Sequence, residues 1–136
     1  MNESLARDAM VPDPPSLEAG ATAQEAGVYL AEPEMRAVFV CEQGRLIGVL
    51  TRKTLVREVV AAGLDPTATA VGPIAEPPIY TIEASTALDE AFGELELRDL
   101  ERVPVVEDGR LVGVLSRAVV QRRLAEDEPP AEPVEI

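Results

Sequence analysis

Histidine and tryptophan are absent from this 136-residue chain, cysteine occurs once, and the aromatic complement is two Phe and two Tyr. Zinc and haem sites draw on His or grouped Cys, so the chain offers no ligand set for either, and a single Cys41 excludes an internal disulfide. Four aromatic rings give little surface on which nucleic acid bases could stack. Basic residues are also scarce: 12 against 25 acidic ones, a net charge of −13. Such a field repels nucleic acid phosphates and anionic membrane surfaces, so neither is expected as a partner. No apolar run reaches the roughly 18 residues of a membrane span. The N-terminus MNESLARDAM lacks the apolar stretch of a signal peptide, and the expected location is cytoplasmic. There is no GxxxxGK phosphate loop, and no His to act as a base. Asp89 with Glu90, and Asp99 with Glu101, read as solvated helix faces because no nucleophile or metal ligand accompanies them. The chain is therefore read as not an enzyme, and Cys41, inside the apolar run AVFVC, as a small packed strand residue.

What the chain does have is a repeat. RLIGVLTR (Arg45 to Arg52) returns sixty-five positions later as RLVGVLSR (Arg110 to Arg117). The same spacing pairs Pro12 with Pro77, Glu18-Ala19 with Glu83-Ala84, Leu30 with Leu95, Val40 with Val105 and Arg57 with Arg122, with no insertion between residues 5 and 125. Self-similarity on one diagonal marks a duplicated structural unit. At this length the two halves are expected to share one domain, divided as 1–62, a linker 63–70, 71–125, and a disordered tail 126–136 whose EDEPPAEPVEI is acidic and Pro-rich.

Each half carries the same order of local signals. A Pro-rich stretch disfavours helix and leads into a short extended segment, Ser16-Leu17 or Ile79 to Ile82. A helix follows. In the second half Ser85 or Thr86 is positioned to cap it, and Leu88, Ala91, Phe92 and Leu95 form its apolar face. In the first half Ala23, Ala26, Gly27 and Leu30 make a small-residue face, and Pro33 ends the helix. Two strands joined at EQG or EDG then form a hairpin. A final helix opens at Thr51 or Ser116 and carries Leu55, Val56, Val59 and Val60, or Val119, Val120 and Leu124. The expected fold is α/β (α+β), two β-α-β-β-α repeats related by a pseudo-twofold axis.

This pattern resembles the paired cystathionine-β-synthase (CBS) domain, the Bateman module. The family's central signature is matched by RVPVVEDGRLVGVLS (Arg102 to Ser116) and, in degenerate form, by AVFVCEQGRLIGVLT (Ala37 to Thr51). The resemblance implies a regulatory module that binds adenosine-containing ligands (AMP, ADP, ATP, S-adenosylmethionine, sometimes NAD) between the repeats, requires no cofactor, and pairs into homodimers. It implies a stand-alone sensor acting on a separate protein. In the family's ligand motif, G-h-x-S/T-x-x-D, the hydroxyl contacts phosphate and the Asp holds the ribose. Here the hydroxyls are Thr51 and Ser116, and the Asp positions hold Thr54 and Val119. A valine accepts no hydrogen bond, and a threonine offers one oxygen without charge.

The basic residues point toward an anion. Arg45 to Arg57 and Arg110 to Arg123 contain eight of the twelve basic residues and no acidic one. Arg52, Lys53 and Arg117 fall where a strand turns into a helix N-terminus, a place that favours negative charge. A phosphate, or an acidic group of a partner chain, is the expected balance. The candidate ligand set is Thr51, Arg52, Lys53, Thr54, Ser116 and Arg117, with Val38, Val103 and Pro104 as apolar walls by family analogy. The alternative is a module without ligand that serves homodimerisation and protein docking, through faces carrying Leu88, Phe92 and Leu95 or Leu55 and Val59.

Overall fold

The computed structural model describes residues 4–78 and 80–127. Most of the expected tail, from residue 128 on, and Ile79 lie outside the described residues. The apolar hairpin sequences of the two repeats form the centre of one mixed sheet. In the first repeat β3 (Val38–Glu42) pairs antiparallel with β4 (Arg45–Leu50); in the second, β6 (Arg102–Glu107) pairs with β7 (Arg110–Ser116). The turn residues Gln43-Gly44 and Asp108-Gly109 all have positive φ, between 52° and 83°. That left-handed pair is the tight turn whose twist matches the flanking strands, and Gly supplies its second position without strain. Both hairpins carry an irregularity at the same point, between Val40 and Cys41 and between Val105 and Val106.

Outside each hairpin lies a short parallel strand, β2 (Ser16–Glu18) on β3 and β5 (Ile82–Glu83) on β6, linked to it through a helix, α2 (Ala23–Leu30) or α4 (Leu88–Leu97). The sheet runs β2-β3-β4-β7-β6-β5. Its two halves meet at Arg45 opposite Arg110. There the Leu46 amide donates to the Gly109 carbonyl and the Leu111 amide to the Gly44 carbonyl, both at 3.1 Å. Arg45 Nη1 donates to the Asp108 carbonyl at 3.2 Å and Arg110 Nη1 to the Gln43 carbonyl at 3.0 Å. Each arginine thus satisfies a carbonyl in the other repeat's turn.

The segments that precede each repeat cross over. Before the first repeat, α1 (Ala6–Ala9) and β1 (Val11–Pro12) pack on the second: the Ala6 amide donates to the Thr86 carbonyl at 2.8 Å, the Arg7 amide to that of Ala84 at 3.1 Å, and Val11 pairs with Val114. Before the second repeat, the Val71 amide donates to the Ala21 carbonyl and the Gly72 amide to that of Ala19, both at 2.9 Å, and Glu76 pairs with Val49. These contacts are the same ones shifted by sixty-five residues. Gly48 and Gly113 make room for them. A Cβ on Gly48 would lie 2.6 Å from the Ala75 Cβ, and one on Gly113 would lie 2.5 Å from Met10 Sδ.

Two cores result. Ala6 joins Leu88, Leu95, Val103, Leu115 and Val120 in one; Val71 joins Ala26, Val40 and Leu50 in the other. The helix faces bear on their unequal size, since α4 contributes Leu88, Ala91 and Leu95 to its core where α2 contributes Ala26.

Three expectations need correction. Helix α4 begins at Leu88 without a side-chain cap from Ser85 or Thr86, because its N-cap position is Ala87, which has no side-chain acceptor, where the first repeat has Thr22 capping α2. Leu88 and Leu95 are buried in their own repeat's core, so they cannot form a dimer face. In the first repeat's last helix Val59 is buried, while Val56 and Val60 are exposed.

Replacing Gly44, with its φ of +83°, should be costly. A Cβ there is strained by the left-handed backbone and meets the Arg110 guanidinium. Gly44→Ala is expected to lower unfolding stability by about 1–2 kcal/mol, the ordinary penalty for an L-residue in this region, in urea denaturation followed by circular dichroism.

Candidate functional site

The strand-to-helix junctions are the places where the family motif puts its polar groups, and they differ between the repeats. At the first, Thr51 is extended and caps α3 (Arg52–Leu55), its Oγ1 accepting from the Thr54 amide at 3.3 Å. Its hydroxyl also pairs with that of Thr54 at 3.1 Å. Thr54 is buried, so its only hydroxyl is spent on Thr51 inside the protein. Arg52 Nη2 donates to the Glu32 carbonyl at 2.7 Å, and Lys53 is exposed. Two cations stand here, and among the described residues the hydrogen-bond partner of Arg52 is a carbonyl and not a carboxylate.

The second junction is neutralised. Ser116 ends β7 opposite Arg102, and Arg117 opens α5 (Arg117–Asp127). The Arg117 guanidinium is held by the Glu101 carboxylate and by Asp99 Oδ1 at 3.4 Å, and its amide donates to the Glu101 carbonyl at 2.9 Å. Val119, at the ribose position, is half-buried and apolar. The counter-charge expected from a phosphate or a partner chain is supplied here by the chain itself. Elsewhere in the basic segments, Arg57 is paired with Glu76 and Glu58, and Arg123 donates to the Asp8 carbonyl at 3.1 Å. The adjacent Glu76 and Glu58 hold the Arg57 guanidinium further toward its charged form.

The two junctions are separate places. Strands β4 and β7 are antiparallel and meet at their first residues, so they run away from each other and carry Thr51 and Ser116 to opposite ends. Val38 lies across from Leu50, beside Thr51, and Pro104 lies across from Val114. Val38, Val103 and Pro104 are all buried and stand behind the junctions.

An apolar concavity lies elsewhere. A groove of about 430 Å³ runs between α2 and the helical segment after Thr51, lined by Ala23, Gly27, Ala31, Leu55, Val59, Val60 and Leu64. Of its lining residues Val28, Val60 and Leu64 are exposed. The small-residue face of α2 was the legible sign of it. The exposure of Val60 and Leu64 was not legible, because it follows from how the segment winds.

A smaller polar cavity of about 180 Å³ lies where the repeats meet, among Asp13, Ser16, Glu18, Cys41 and Leu111. Cys41 is buried at its edge. Burial pushes the thiol above its usual range, nearby Glu18 adds to this, and Arg110 opposes it. A raised folded-state value means that the folded protein holds the proton more tightly. The stability from the neutral thiol is present below the unfolded thiol's ordinary range and is lost as pH rises through the folded value. Native Cys41 is expected to react with a disulfide reagent at pH 8 at least tenfold more slowly than in urea. Stability should fall as pH rises past 9, and less so in Cys41→Ala.

The comparisons with known proteins match this architecture. The CBS domain is found twice, over residues 6–61 and 71–126. Hypoxic response protein 1 of Mycobacterium tuberculosis is 35% identical over 106 residues, covering 77% of this chain and 74% of that protein. A crystal structure of Hypoxic Response Protein I with two coordinated zinc ions superposes with a TM-score of 0.71 at 31% identity, covering 93% of this chain and all of that one. The cytosolic domain of the Mg²⁺ channel MgtE, solved in complex with ATP, superposes with a TM-score of 0.69 at 27% identity, covering 90% of this chain and 49% of that one. The matched sequence, the repeated hairpins and their crossed lead-in segments together show that the chain belongs to the CBS domain family, with one such domain in each repeat.

Proposed function

We propose that this CBS pair is a regulatory module that takes the phosphates of an adenosine-type nucleotide at the Thr51–Arg52–Lys53 junction and passes the occupancy of that site to a separate protein. The asymmetry between the junctions carries the reading. Among the described residues Arg52 and Lys53 form no ion pair with a carboxylate, whereas Arg117 is held by Asp99 and Glu101. In a chain of charge −13 an anion gains most where positive charge is uncommitted, and a helix start adds its free amides. The ATP held by the MgtE domain supports the same ligand class.

The ribose is the weaker part of the contact. With Thr54 buried against Thr51 and Val119 apolar, neither repeat offers the carboxylate that would accept from two ribose hydroxyls. Affinity should therefore follow the number of phosphates. In calorimetric titration ATP is expected to bind more tightly than ADP and ADP more tightly than AMP, with adenosine and S-adenosylmethionine silent. Arg52→Ala/Lys53→Ala should weaken ATP at least tenfold, and Arg117→Ala should leave it within twofold. No heat with ATP at millimolar concentration, or affinity unchanged by the double substitution, would refute the site.

A second reading, a homodimerisation and docking module, is favoured by the apolar groove. Val28 on α2 and Val60 on the helical segment facing it both line the groove and are more than half exposed, at 69% and 70%. Exposed apolar side chains gathered at one place are a frequent sign of an interface. A twofold pairing of this face would bury the same groove from both copies.

A further inference from the structure

The two junctions differ by a reversal of charge at one position. Shifted by sixty-five residues, Arg36 takes the place of Glu101, Arg52 that of Arg117 and Lys53 that of Ala118. In the second repeat the Glu101 carbonyl accepts the Arg117 amide at 2.9 Å, and its carboxylate holds the Arg117 guanidinium. In the first repeat the hairpin ladder ends with Val38 opposite Leu50, so Arg36 and Arg52 leave the same end of it, each two residues beyond. Arg52 Nη2 then donates at 2.7 Å to the carbonyl of Glu32, in the segment that leads into Arg36. The carboxylate that neutralises the second junction is thus replaced at the first by a third cation. Arg36, Arg52 and Lys53 are all exposed, and among the described residues none of them forms an ion pair. Glu34, the counterpart of Asp99, is exposed and makes no ion pair with Arg52.

Groups that would read a nucleoside are scarce at the same place. Thr54 is buried with its hydroxyl paired to that of Thr51, and Val38, the wall beside Thr51, is fully buried. Neither the apolar groove nor the polar cavity is lined by Arg36, Arg52 or Lys53. The junction therefore presents open positive charge without an enclosure for a base. A guanidinium matches a pair of phosphate oxygens, and an ammonium binds phosphate as a point charge. One exposed charge pair contributes little. Three neighbouring cations gain most from a ligand that carries several negative groups in a row.

We propose that the Arg36, Arg52 and Lys53 cluster recognises a condensed phosphate chain, a triphosphate or longer, irrespective of the base and ribose attached to it. The place of the site rests on the reading above; the ligand class does not require an adenosine nucleotide. Arg36 is the specificity-determining residue, since it stands where the second repeat has the carboxylate that consumes its arginine. The cations are exposed, so the affinity falls as salt is added.

The test is calorimetric titration of the full chain with sodium tripolyphosphate, ATP, GTP and CTP. It is repeated on Arg36→Glu, which copies the second repeat, and on Arg122→Glu, the same change of net charge at an exposed residue of α5. Tripolyphosphate is expected to bind and to be displaced by ATP, with the three nucleotides within about threefold of one another. Arg36→Glu should weaken all four ligands by about tenfold or more, and Arg122→Glu by less than about twofold. Tripolyphosphate, GTP and CTP silent while ATP binds would overturn the proposal and leave the adenosine nucleotide reading standing. No loss in Arg36→Glu, or equal losses in the two variants, would overturn the role of Arg36. Tripolyphosphate binding with ATP silent would support the phosphate-chain site and refute the nucleotide reading, and silence with every ligand would refute both.

Discussion

The structure depends on an exchange of lead-in segments between the repeats. Neither repeat completes its own core: Ala6, at the start of the first, is buried in the core of the second, and Val71, at the start of the second, is buried in the core of the first. The backbone bonds that hold them are copies of each other, Ala6 to Thr86 and Arg7 to Ala84 matching Val71 to Ala21 and Gly72 to Ala19. A half-chain of some 60 residues is marginal as a folding unit. Exchange solves this by making each half's core conditional on the other's presence. The central strand pair, with Arg45 and Arg110 each bonded to the opposite turn, then closes the joint from the far side.

Much of this was legible in the sequence. The sixty-five-residue diagonal, the Gly at each hairpin turn and the alternating apolar runs dictate the strands and their pairing. Gly48 and Gly113 signalled a close approach, and the structure places the crossed segments against them. The crossing itself left no separate mark, because a segment packed on the neighbouring repeat has the same composition as one packed on its own. The capping of α4 was misread by position: Ser85 and Thr86 are good caps by type, but the helix starts at Leu88, so Ala87 stands at the cap. The π winding of Val56–Val60 was equally hidden. Nor does any local pattern reveal the pairing of Arg57 with Glu76, nineteen positions apart.

The candidate site shows how duplication allows divergence. Both junctions keep the hydroxyl, as Thr51 and Ser116, and a following Arg, and the sequence already separates them at the ribose position, Thr54 against Val119. In space the second has acquired Asp99 and Glu101 as neighbours and Val119 at the ribose position, so its positive charge is consumed within the chain. The first retains its cations and has Thr54 folded inward. A pseudo-symmetric frame with one neutralised and one open junction is suited to sensing a single anion. The helix that begins at the first junction also forms one wall of the groove.

The crossing of the lead-in segments is tested most directly by native-state hydrogen exchange on Ala6→Asp, in which a charge enters a fully buried position of the first lead-in segment. A buried unpaired carboxylate destabilises whichever core contains it. The account predicts that protection falls in β6, β7 and α4 of the second repeat, while β3 and β4 of the first keep theirs. Loss of protection confined to β3 and β4, the repeat to which Ala6 belongs by sequence, would contradict it.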